Sequence, residues 1–108
     1  MGDEESIVSL YADHPELLPR IDEFVIGLGE RIDALQDFES LGDWKQVQFH
    51  ARAIIHAAAE LGFPIFATQA GLVEAACVTP DPGLLRELLV ELTALARRVR
   101  LGHRGASS

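Results

Sequence analysis

"DWKQVQFHARAIIHAAAELGFP", Asp43 to Pro64, contains one helix together with both of its ends. Asp43 has the short acceptor side chain that caps a helix N-terminus. Gly62 is placed to accept the left-handed conformation that stops the helix, and Pro64 can open the next one. Between the ends, Trp44, Val47, Ala51, Ile54, Ala58 and Leu61 recur at steps of three or four, which is one buried stripe. The outward face holds Lys45, Gln48, Phe49, Arg52, Ile55, His56 and Ala59. Phe49 and Ile55 would flank the Arg52 cation in water, a cluster that points to a contact site.

The same periodicity extends on both sides. Leu18, Ile21, Val25, Leu28, Ile32, Leu35 and Phe38 form one stripe, predicting a single long helix from Pro15 to about Leu41 with Asp13 as its cap. Gly27 and Gly29 lie inside it at about 1 kcal/mol each against alanine. Ahead of it, Ile7, Leu10 and Tyr11 suggest a short helix from Glu4 to Tyr11. A fourth segment, Pro64 to about Val78, carries Ile65, Phe66, Leu72, Val73 and Ala76. Asp81 caps a last helix, Pro82 to about Leu101, with Leu85, Leu88, Leu89, Leu92, Leu95, Ala96 and Val99 inward. Arg97, Arg98 and Arg100 would sit in its last turns, where cations favour the helix dipole. No period-2 strand pattern or hairpin dipeptide occurs. Short connections make successive helices antiparallel neighbours. The expected fold is therefore all-α: an antiparallel up-down-up-down four-helix bundle with a short extra N-terminal helix. It forms a single domain over 1–108, with frayed ends at about 1–3 and 102–108.

Composition agrees with one soluble domain. The chain has 108 residues, 48% of them apolar, enough for one core. The formal charge is −8, which argues against nucleic acid or an anionic membrane as partner. Charge is unevenly spread: residues 1–43 hold 12 acidic and 2 basic side chains, the remainder 5 and 7. A single cysteine, Cys77, excludes an intrachain disulfide and reads as a core thiol. No apolar run reaches the ~20 residues needed to span a bilayer. The start "MGDEES" is too acidic for a signal peptide and only loosely fits a myristoylation pattern. The cytoplasm is the expected location.

From Tyr11 to Arg100 the chain resembles the histidine-containing phosphotransfer (HPt) domains of two-component signalling. The resemblance is carried by "ADHPELLPRIDEFV" leading into the long helix, "GDW" before the third helix, "LGFP" after it, and "LVEAA" in the fourth. In that family the third helix carries Ala-His-x-Leu-Lys-Gly, and a glycine follows the histidine by ten residues. Counting back ten from Gly62 reaches Arg52, with Ala51 and Ile54 matching on either side. The resemblance thus places Arg52 at the phosphoacceptor position, Ile55 at the phosphate-holding lysine and His56 at the next glycine. A guanidinium stays protonated at neutral pH and cannot be the nucleophile. The implied function is a non-transferring, HPt-like protein that binds a receiver domain of a response regulator or hybrid histidine kinase. No cofactor and no enzyme activity follow.

Two alternatives stand beside this. His56 lies one turn after Arg52 on the same face and could be a relocated acceptor. The shift of about 5.4 Å is large for an in-line transfer. Alternatively, the Phe49/Ile55 face could form a homodimer. The other histidines read as structural: His50 half-buried at the edge of the stripe, His14 at the start of the long helix, His103 in the tail. His56 and Glu60 share a face, but two ligands without a third make no metal site.

Overall fold

The computed structural model describes residues 5–106, with side chains up to residue 103. The expected frayed end at 1–3, the "MG" start and residues 107–108 lie outside the described residues. Within them the chain is all-helical: α1 Leu18–Ile26, α2 Leu28–Ser40, α3 Trp44–Glu60, α4 Pro64–Ala76 and α5 Pro82–Ala106. No strand occurs among the described residues. Helix α3 packs most extensively on α4. Helix α4 packs on α5, and α2 packs on both α3 and α5, so the contacts close into a ring compatible with a four-helix bundle. Helix α1 lies against α5 and α2.

The core follows the sequence stripes closely. Val47, Ala51, Ile54 and Ala58 of α3 are buried, as are Ile21, Val25, Leu28, Ile32 and Leu35 of α1 and α2. Leu85, Leu89, Leu92, Leu95, Ala96 and Val99 supply the α5 wall. Phe24 stacks on Phe63 and meets Phe66 edge-on, joining α1 to the start of α4. Asp43 caps α3 by accepting the Gln46 N–H at 3.2 Å, and Asp81 caps α5 through the Leu84 N–H at 3.2 Å. Gly62 follows α3 with φ +87, a conformation open to glycine at little cost. No helix of the described residues is long and apolar enough to cross a membrane.

Five expectations need correction. The single helix over Pro15–Leu41 is two helices, parted at Gly27. Its carbonyl still accepts from Arg31 N–H and its N–H still donates to Glu23, so the interruption is confined to that one residue. The first helix starts at Leu18, with Pro19 in its first turn, and no side chain caps it. Asp13 and His14 instead belong to a run of three-residue turns, with His14 N–H on Tyr11 and Leu17 N–H on His14. The expected helix over Glu4–Tyr11 does not form among the described residues: 5–9 is irregular and 10–13 is turn. A segment this short does not nucleate a helix alone. Its polar groups bond elsewhere: Ile7 N–H to Arg98 O, Leu10 N–H to Gly62 O, and the Ser9 hydroxyl to Leu61 O. The chain here is a strap across the end of the helices.

The last helix continues to Ala106, so Gly102 and His103 are not tail. Arg97, Arg98 and Arg100 accordingly lie inside α5, and Arg98 Nε donates to the Glu5 carbonyl at 2.7 Å. Finally, Leu18 is exposed rather than inward, and of the apolar residues carried by α4, Ile65 and Leu72 are exposed. Helix α4 is apolar around most of its circumference, so periodicity alone could not orient it; Phe66, Ala70 and Val73 are the buried set.

Candidate functional site: the outward face of α3

Burial of the Val47–Ala51–Ile54–Ala58 stripe turns the opposite face of α3 outward. Lys45, Phe49, Arg52, His56 and Ala59 are exposed, and Gln48 is half-buried. Phe49 is 67% exposed, the largest apolar side chain on this face. It meets His50 edge-on, and His50 stacks on Phe38 of α2 at 5.2 Å between centroids. His50 is thus held half-buried by two rings, as its place at the stripe's edge implied. Ile55 departs from expectation. It is half-buried and packed on the core, because it lies about 40° round the helix from buried Ala51, one turn on, on the side of Arg52 away from Phe49. Arg52 is therefore flanked in water by Phe49 alone.

Arg52 has a partner that the sequence did not disclose. Its Nε lies 2.5 Å from Oε2 of Glu74 on α4. The guanidinium is 62% exposed and the carboxylate 24%. A surface pair of this kind is worth about 0–1 kcal/mol, so it orients Arg52 more than it stabilises the fold. The pair spans 22 residues of sequence, beyond the reach of any helical period. Glu74 does lie within the "LVEAA" segment, the only prior signal for it.

The remaining chemistry is sparse. His56 is exposed and one turn from Arg52. Glu60, its possible metal partner, is instead paired with Arg20. Among the described residues no group of three or more His, Cys, Asp or Glu side chains could hold a metal ion. Cys77 is buried at the end of α4 with its Sγ on the Val73 carbonyl, and burial, followed by the nearby Glu74 charge, pushes the thiol above its ordinary value. His14 is exposed between Asp13 and Glu16. His103 lies in α5 with Nε2 2.7 Å from Asp22 Oδ1. What α3 presents is a cation oriented by Glu74 beside one exposed aromatic ring. Compared with protein-family models, curated proteins and solved structures, the chain matches none.

Proposed function

We infer that the protein is a non-transferring, HPt-like member of a phosphorelay that binds the receiver domain of a response regulator or hybrid kinase in the cytoplasm. In this reading α2–α5 form an antiparallel up-down-up-down bundle. The docking surface is Lys45, Gln48, Phe49, Arg52, His56 and Ala59, with Ile55 supporting it from the core side. The observation that carries the reading is Arg52: exposed, oriented by Glu74, and placed where the resemblance puts the phosphoacceptor. Receiver active sites are acidic, so a fixed guanidinium can pair with an aspartate or aspartyl phosphate. Phosphate transfer through Arg52 is chemically closed, so the protein would hold a receiver rather than relay through it.

Titration against the receivers encoded in its own genome, phosphorylated and not, tests this. Binding that weakens in Arg52→Ala supports it; no binding to any receiver sinks it. The exposure of His56 keeps one second reading in view, transfer through a relocated acceptor. Acid-labile label that disappears in His56→Gln would establish that reading, and absence of label removes it. The exposed Phe49 ring favours a third, a homodimer through this face. A strict monomer in sedimentation at high protein concentration eliminates it.

A further inference from the structure

We propose that a cavity under the N-terminal strap, lined by none of the outward-facing α3 residues, binds a small apolar molecule that carries one hydrogen-bond donor, an amine or an alcohol. The cavity measures about 460 Å³, within the range of about 300–1,000 Å³ typical of small-molecule sites. Ile7 and Val8 of the strap, Leu18 and Ile21 of α1, and Phe63 before α4 form its apolar wall. Among the described residues, Asp22 and His103 are the only charged or titratable side chains that line it.

The wall is built rather than accidental. The strap is pinned by Ile7 N–H to Arg98 O at 3.0 Å, Leu10 N–H to Gly62 O at 2.9 Å, and Ser9 Oγ to Leu61 O at 2.5 Å. Gly102 lies so close under the strap that an added Cβ would fall 2.1 Å from the Ile7 carbonyl oxygen. A frame fixed at several points keeps the cavity open before a ligand arrives, which lowers the ordering cost of binding.

The polar end decides the ligand class. His103 Nε2 is 2.7 Å from Asp22 Oδ1. A carboxylate offers about four lone-pair sites, and the Asp22 side chain is 55% exposed, so it can accept a second donor from a guest. Ser9 offers no competing chemistry: its hydroxyl donates to Leu61 O and accepts from Tyr11 N–H. It is therefore a tie for the strap and not a nucleophile. The Asp22 carboxylate in the wall disfavours a carboxylate ligand.

Three probes with one ring and different heads test the proposal on the full chain: phenethylamine, phenethyl alcohol and phenylacetate, followed by NMR amide-shift titration. The amine and the alcohol are expected to give saturable shifts at Ile7, Val8, Ile21, Asp22 and His103, and none at Phe49 or Arg52. Phenylacetate is expected to bind about tenfold or more weakly than the amine, the factor a charge-assisted bond commands. Asp22→Asn should remove the preference for amine over acid while leaving the spectrum folded. Leu18→Trp, from a partly exposed lining position, should fill the cavity and abolish all binding. The proposal is overturned by any of three results: no saturation at the cavity residues, phenylacetate binding as well as the amine, or unchanged binding in Leu18→Trp.

Discussion

Replacing Gly102 by alanine sets helix propensity against packing. Gly102 lies inside α5, where alanine gains about 1 kcal/mol over glycine. A Cβ there would sit 2.1 Å from the Ile7 oxygen and 2.7 Å from the Ile7 carbonyl carbon. Both are backbone atoms, so no side-chain rotation relieves the clash and the strap must lift. Lifting it forfeits the Ile7 N–H bond to Arg98 and the Arg98 Nε bond to Glu5, about 1 kcal/mol each. Exposing half-buried Ile7 adds about 1 kcal/mol. Against the propensity gain, the net loss is about 2 kcal/mol. For a domain of this size that lowers Tm by roughly 8–16 °C. Gly71, in α4 with nothing within 4 Å of an added Cβ, is the reference, and its alanine variant should gain stability by up to about 1 kcal/mol. Urea and thermal unfolding followed by circular dichroism would measure both. If Gly102→Ala stabilises as Gly71→Ala does, the strap is not seated on α5 and the reasoning fails.

Other expectations follow from single contacts. Arg52→Ala should change stability by less than about 1 kcal/mol, since its pair with Glu74 is at the surface; a larger loss in urea unfolding would mean that Arg52 is structural. Phe66→Ala removes a fully buried ring that meets Phe24 and should cost about 3–5 kcal/mol in the same assay. Asp43→Ala deletes the cap on Gln46 N–H and should cost about 1 kcal/mol. The Cys77 thiol has its pKa raised above the ordinary 9.0 by burial and by Glu74. The unfolded chain therefore gives up this proton at lower pH, so folding stability should fall as pH rises from 9.0 through the raised value, and Cys77→Ala should flatten that limb. Native Cys77 should also react slowly with thiol reagents until denaturant is added.

The face of α3 was readable because a helix is a local object. Asp43, Gly62 and the three-four spacing of Val47, Ala51, Ile54 and Ala58 set its ends and its rotation without help from the rest of the chain. The long N-terminal stripe predicts burial from Ile21 to Leu35 but not the exposure of Leu18 or the interruption at Gly27. A glycine that interrupts a helix and one that sits quietly inside it look alike in sequence, and Gly29 is the quiet case. Ile55 was misplaced for a related reason: residues at the border of a stripe go whichever way the neighbouring helix leans.

From its sequence alone, this chain determined an all-helical class, the caps and stop of α3, most of the core residues, and the presence of a cation where the HPt resemblance expects a histidine. Tertiary structure alone decided which partner holds that cation and where the strap at 5–9 is seated. Glu74 meets Arg52 across 22 residues, and the strap meets α5 across more than 90. Such contacts depend on how whole helices lie against one another, and no local period encodes that. The residues read as a short helix are instead pinned to Arg98 of α5 and to Leu61 and Gly62, because backbone groups too few to satisfy themselves found partners on distant elements.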